Sequence, residues 1–167
     1  MPKIPKTILA IDPGLRDLGY AVLKGHAIAA SGVISFRLVR PSGRLAAARS
    51  AVRELVRRHK PDALVVEKTH WYPNGLHRLM ATMRALARQH RLPLAIYSPQ
   101  TVRKYLLGNG WAGKAEAAAA MSVRYPALRV HLTQNRKWKE RYWQNMFDAV
   151  ALATHHRLKC EPPSRSR

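Results

Sequence analysis

Acidic residues are scarce in this chain: Asp and Glu total 9 against 30 Lys and Arg. Cysteine is nearly absent, with Cys160 alone near the C-terminus, which excludes an internal disulfide and a Cys-based zinc site and suits a reducing compartment. No apolar run approaches the ~20 residues of a spanning helix, and Asp12 interrupts the first one, so neither a membrane span nor a secretory signal is expected. What is present in excess is positive charge. The formal net charge of +21 and the pI near 11.4 point to a polyanionic partner, with nucleic acid the natural one. A membrane surface fits less well, because the basic segments fall on helices whose apolar faces are committed to a core.

The 167 residues, nearly half of them apolar, suffice for one domain with a real core. The segment "TILAI" is rich in β-formers and ends at the turn signal Asp12-Pro13-Gly14. "LGYAVLKG" and "AIAASGVISFR" read as two more strands joined at Gly25-His26. From Arg44 to His59, Leu45, Ala48, Val52, Leu55 and Val56 recur at helical spacing, with arginines elsewhere around the helix. The unbroken run in "PDALVVEK" has the pattern of a strand buried on both faces. A second helix is expected over about 75–90, then a fifth strand in "LPLAIYS". Ser98-Pro99 is an N-cap with proline at the first helical position, opening a helix to about Leu107. Lys114 to Arg124 forms an alanine-rich helix, and the last helix spans about 142–158. The stretch from Pro126 to Trp143 is basic and aromatic without clear period, and 159–167 reads as a disordered basic tail after a domain over 1–158. The sum is an α/β domain with a five-stranded mixed sheet flanked by helices. The right-handed crossover rule sets the strand ending at Glu67 parallel to the one ending at Asp12.

Asp12 and Glu67 both follow an apolar strand directly, and the carboxyl ends of parallel strands are where sites form in open α/β sheets. Two like charges ~4 Å apart repel by roughly 4 kcal/mol at an effective dielectric of 20, so such a pair calls for a proton or cation between them. A hard divalent ion with oxygen ligands, Mg²⁺ above all, relieves that repulsion. Asp148 is a third candidate, set amid Met146, Phe147, Ala149 and Val150 on the last helix, with Asn145 about one turn earlier. Each acid also has an ordinary reading, as a turn residue, a strand-end cap or the partner of an arginine. The other six, Asp17, Glu54, Asp62, Glu116, Glu140 and Glu161, read as surface acids in turns, on polar helix faces or in the tail.

These residues carry a resemblance. "ILAIDPGLRDLGYAVL", "ALVVEKTH", "SPQTVRKYLLGNGWAGKAEAAAAM" and "DAVALATHH" are similar, in order and spacing, to the motifs of RuvC-type Holliday junction resolvases of the ribonuclease H-like superfamily. The similarity spans about Thr7 to His156. It implies a ribonuclease H-like fold and a homodimeric, Mg²⁺-dependent endonuclease, with Mn²⁺ substituting, that nicks two opposed strands of four-way DNA. The catalytic acids of the family carry over to Asp12, Glu67 and Asp148, and its lysine to Lys114. Where relatives often carry a second Asp, or a His, three positions before the last acid, this chain has Asn145, a neutral oxygen donor without charge.

The implied chemistry is two-metal hydrolysis leaving a 5′-phosphate and a 3′-hydroxyl, with Asp12 bridging the ions, Glu67 on one and Asp148 on the other. Lys114, after Gly113 at a helix N-terminus, would meet a phosphate there. An aromatic entering the junction centre is expected among His70, Trp71 and Tyr72. Lys104, Arg78, Arg84 and Arg88, and Arg136, Lys137 and Lys139 near the end, are expected to contact phosphates without reading sequence. The second helix is the expected dimer interface. Three alternatives remain: a non-catalytic nucleic-acid-binding protein, which explains the charge but not the acids; a ribonuclease H-like nuclease acting on RNA, hybrids or flaps; and a sugar-kinase-like ATPase, which shares the strand-turn opening but is normally a much longer chain.

Overall fold

The computed structural model describes residues 4–69, 75–132 and 137–162, with side chains of 137–141 outside the description. Five strands form one sheet: β1 (Thr7–Asp12), β2 (Asp17–Lys24), β3 (Ala27–Ser35), β4 (Ala63–Glu67) and β5 (Leu94–Tyr97). Their order is β3-β2-β1-β4-β5. The first three pair antiparallel, as hairpin-linked strands do, while β1 with β4 and β4 with β5 are parallel. Gly25 makes the expected β2–β3 turn at φ +59°, a conformation that a side chain disfavours.

Helices cover both faces. α1 (Arg44–His59) and α2 (Leu76–Gln89) lie on one side, where Leu9, Ile11, Val22, Leu64 and Val66 of the sheet meet Val52, Leu55, Leu79 and Met83 of the helices. On the other side, α3 (Pro99–Leu107), α4 (Lys114–Arg124) and α6 (Lys137–Cys160) enclose Ile8, Ala10, Ala21, Leu23 and Val65. Burial on both faces explains why β1 and β4 lack polar alternation: Ile8 through Ile11 and Leu64 through Val66 are all fully buried. Each such side chain withdrawn from water contributes roughly 1.5–3 kcal/mol, so these central strands fix the frame on which the acids stand.

Two features sharpen the sequence reading. α3 opens as expected, with Ser98 accepting a hydrogen bond from the Thr101 backbone N–H at 3.1 Å and proline in the first turn. Within the stretch without period, the described residues form a short 3-10 turn at Pro126–Leu128, α5 (Arg129–Leu132) and the start of α6. α6 thus begins before Tyr142, and it continues past Leu158 to Cys160, so that 159 and 160 are helical rather than part of the expected tail. Arg157 explains that extension, because it is buried and donates to the backbone carbonyls of Pro5 and Lys6, tying the helix end to the start of the chain.

Candidate active site

Strand alternation decides which residues look at which layer. Ile8 and Ala10 belong to the α6 side, so Asp12 faces α6 as well; Val65 does the same on β4, which turns Glu67 to that side. Ile11 pairs with Val66 in register, making Asp12 and Glu67 lateral neighbours at the ends of adjacent parallel strands, at a spacing of roughly 4.8 Å. α6 crosses this face and sets Asp148 over it. Asp148 is 8% exposed and Asp12 9%, whereas Glu54, Asp62 and Glu116 are exposed.

The three carboxylates sense one another. Burial, followed by the charges of Glu67 and Asp148, holds the Asp12 carboxyl well above the usual carboxylate range, while Lys114 opposes the rise. Burial and then Asp148 push Glu67 up to about 7, against the pull of Lys114 and Arg103. Lys114 opens α4 and reaches Asp148 Oδ2 at 3.4 Å. A cation at the first turn of a helix is disfavoured by the helix dipole, and the negative charge of the carboxylates offsets that cost here.

Two residues that sequence reasoning passed over complete the surroundings. Gln144 Nε2 donates to Asp148 Oδ1 at 3.0 Å. Its spacing, one turn before an acid within an apolar helix, is the signal that could have found it. Arg103 lines the same small cavity as Glu67 and Asp148; it lies one turn into α3, whose capped start follows β5 directly, but nothing in its own neighbourhood distinguishes it from other arginines. Asn145 Nδ2 donates to the Asp17 carbonyl at 3.1 Å, clasping α6 to the start of β2.

Among the described residues, no three histidine, cysteine or carboxylate side chains stand close enough together to hold an ion in the placement they have. The donor chemistry nevertheless fits a hard divalent cation: the acids supply carboxylate oxygens, and Asp12 and Glu67 stay raised, by burial first and by neighbouring carboxylates second, despite the opposing charge of Lys114, whose hydrogen bond, like that of Gln144, goes to Asp148. The other acids whose side chains are described are occupied elsewhere. Glu54 pairs with Arg57, Asp62 accepts from the Thr7 N–H, Glu116 caps α4 and Glu161 meets His26. Asp17 departs from the surface role expected of it: its side chain is 11% exposed and binds Arg37 through both oxygens.

The expected nucleic-acid contacts are dispersed. Lys104 and Lys114 are exposed on the α3–α4 side, with the carboxylates. Arg78, Arg84 and Arg88 are exposed on α2, in the layer across the sheet. His70, Trp71, Tyr72 and Arg136 lie outside the described residues, as do the side chains of Lys137 and Lys139.

Comparison with known proteins bears on this arrangement. The sequence model of a family described as crossover junction endodeoxyribonuclease RuvC matches residues 8–156. The chain is 35% identical over 164 residues to the protein of that name from Maricaulis maris, covering 90% of this chain and 91% of the relative. It is also 35% identical over 169 residues to that from Alkalilimnicola ehrlichii, covering 96% of each. Among solved structures, Thermus thermophilus RuvC in complex with a Holliday junction substrate superposes with a TM-score of 0.70 at 23% identity, over 93% of this chain and 97% of the other. That likeness identifies the fold as ribonuclease H-like.

Proposed function

The chain belongs to the RuvC family of crossover junction endodeoxyribonucleases, and from that premise we propose that it resolves four-way (Holliday) DNA junctions by paired symmetric nicks. The observation that carries the reading is the juxtaposition of Asp12 and Glu67 on neighbouring parallel strands with Asp148 on the helix above them. A basic nucleic-acid-binding protein has no use for three acids sharing a buried face.

In this reading Asp12, Glu67, Asp148 and the Oδ1 of Asn145 are the residues that would hold two Mg²⁺ ions. The chemistry such ions supply is water activation and neutralisation of the charge that develops at the scissile phosphate. The chain's own groups do the rest. Lys114 is the direct phosphate partner, exchanging its Asp148 contact for a phosphate oxygen at the N-terminus of α4, where free backbone amides also face an anion. Gln144 keeps the Asp148 carboxylate oriented through Oδ1. Arg103 adds fixed positive charge beside Glu67, where it favours the ionised carboxylate. Water attacks phosphorus, the bond to the 3′-oxygen breaks, and the products carry a 5′-phosphate and a 3′-hydroxyl.

Two coordinated nicks on opposed strands need two such sites, hence a homodimer; α2, with its exposed outer edge, is the surface we assign to the partner protomer. No helix among the described residues is long and apolar enough to cross a membrane. A DNA substrate and a lone cysteine suit the reducing cytoplasm. The decisive assay compares cleavage of four-way junction, duplex, flap and RNA–DNA hybrid with Mg²⁺, Mn²⁺ and Ca²⁺ side by side. Symmetric paired nicks confined to the junction, supported by Mg²⁺ and Mn²⁺, are expected. Equal cutting of flaps or hybrids overturns the assignment.

A further inference from the structure

The loop that joins α3 to α4 presents an aromatic side chain that neither the core nor the carboxylate site uses. Trp111 is 84% exposed, although tryptophan is ordinarily highly buried. Its backbone is held on both sides: the Trp111 N–H donates to Asn109 Oδ1 at 2.9 Å, and Ala112, 3% exposed, returns its carbonyl to Arg103. The indole is therefore displayed from an anchored turn. Beside it lies a cleft of about 430 Å³ whose lining includes Gln100, Thr101, Lys104, Asn109, Gly110 and Trp111. That volume falls within the roughly 300–1,000 Å³ of clefts that hold small organic groups.

The cleft and the carboxylate site are neighbours on one helix. Arg103 lines the cavity that holds Glu67 and Asp148, while Lys104, the next residue of α3, lines the cleft. Trp111 precedes Lys114, the partner of Asp148, by less than one helical turn's worth of sequence. A nucleic-acid strand with its phosphate at Lys114 thus has a second cation and an aromatic plane within the reach of the adjoining nucleotides. We infer that Trp111 and Lys104 form a nucleotide subsite flanking the reactive phosphate, in which the indole stacks on an unpaired base of the strand being cut and Lys104 holds a neighbouring phosphate. Stacking of this kind tolerates any base, since each has a π-face, so the subsite adds affinity and position rather than sequence preference. This inference rests on the reading of the protein as a junction nuclease.

The test uses full-length protein and four-way junctions carrying 2-aminopurine at single positions on either side of the nick, in Ca²⁺ for binding and Mg²⁺ for cleavage. With wild type, the fluorescence of one or two adjacent positions should change on binding. Trp111→Ala should lose that signal and bind about tenfold or more weakly, on the scale measured for single stacked bases, while Trp111→Phe keeps most of both. Lys104→Ala should lower the salt slope of binding by about one ion. The inference is overturned if Trp111→Ala binds and reports like wild type, or if it alters the oligomeric state with affinity unchanged. A wild type that binds with the Trp111-dependent signal yet never nicks would instead sink the resolvase reading and leave the subsite standing.

Discussion

Asparagine at position 12 separates two consequences of one carboxylate. Asp12→Asn keeps the shape and a neutral oxygen but removes the negative charge at the centre of the site, so nicking should fall below detection while junction binding in Ca²⁺ stays within about threefold. Substantial residual nicking would remove Asp12 from the proposed chemistry. Glu67 gives a prediction with a pH sign. Its folded-state pKa of about 7 lies above its ordinary 4.5, so without added metal the folded state binds more protons in that window. The stability it contributes is present below pH 4.5 and lost as pH rises through 7, up to about 3 kcal/mol. Glu67→Gln should flatten this loss, and divalent ions should raise the wild-type melting temperature at pH 8 by binding the ionised form. A wild-type melting temperature that is flat from pH 5 to 8 without metal would contradict the buried, uncompensated acid. Asp12, Glu67 and Asp148 were legible because acids are rare and these three interrupt apolar runs. Gln144 and Arg103 were not: an amide and an arginine carry no such contrast in this sequence, and only folding brings them to Asp148 and Glu67.

Between β2 and α6 the closest approach is set by a missing side chain. A Cβ at Gly19 would lie 1.9 Å from the Asn145 carbonyl oxygen and 2.9 Å from its Cβ, so helix and strand must part if one is added. Gly19→Ala should destabilise the fold by several kcal/mol, as overpacking against backbone does, and should lower nicking even where protein survives, since Asn145 and Asp148 ride on that part of α6. A melting temperature within a degree or two of wild type would refute the contact. The helices and strands themselves were readable wherever one period ran unbroken: α1, α2 and β4 have the spans their apolar spacing implies. The region from Pro126 to Trp143 hid its structure because its described residues fall into a 3-10 turn, a four-residue helix and the first turns of α6, each too short to establish a period. The extension of α6 to Cys160 was invisible for another reason. It depends on Arg157 finding carbonyls at the opposite end of the chain, a long-range contact with no local signature.

Across the whole molecule, positive charge serves two purposes that composition cannot separate. Arg44 donates to the carbonyls of Phe36, Val39 and Arg37, Arg49 to Thr82, and Arg157 to the N-terminal segment; these cations hold the fold. Others, Lys104 on one layer and Arg53 and Arg58 on the other among them, remain exposed. Exposed cations bind phosphate regardless of sequence or topology, and each contact releases counterions, so affinity for any DNA should fall steeply with salt, by about 10³ or more between 50 and 200 mM if six phosphates are engaged. Selectivity for the four-way junction must then come from shape: how far apart a dimer sets its two carboxylate sites, and which bases lie unpaired at the crossover. Junction and duplex affinities, titrated in parallel over that salt range in Ca²⁺, should therefore decline with similar slopes and preserve their ratio. If the preference for the junction vanished with salt while duplex binding persisted, the discrimination would lie in charge density alone, and the paired geometry proposed for the two active sites would lose its role.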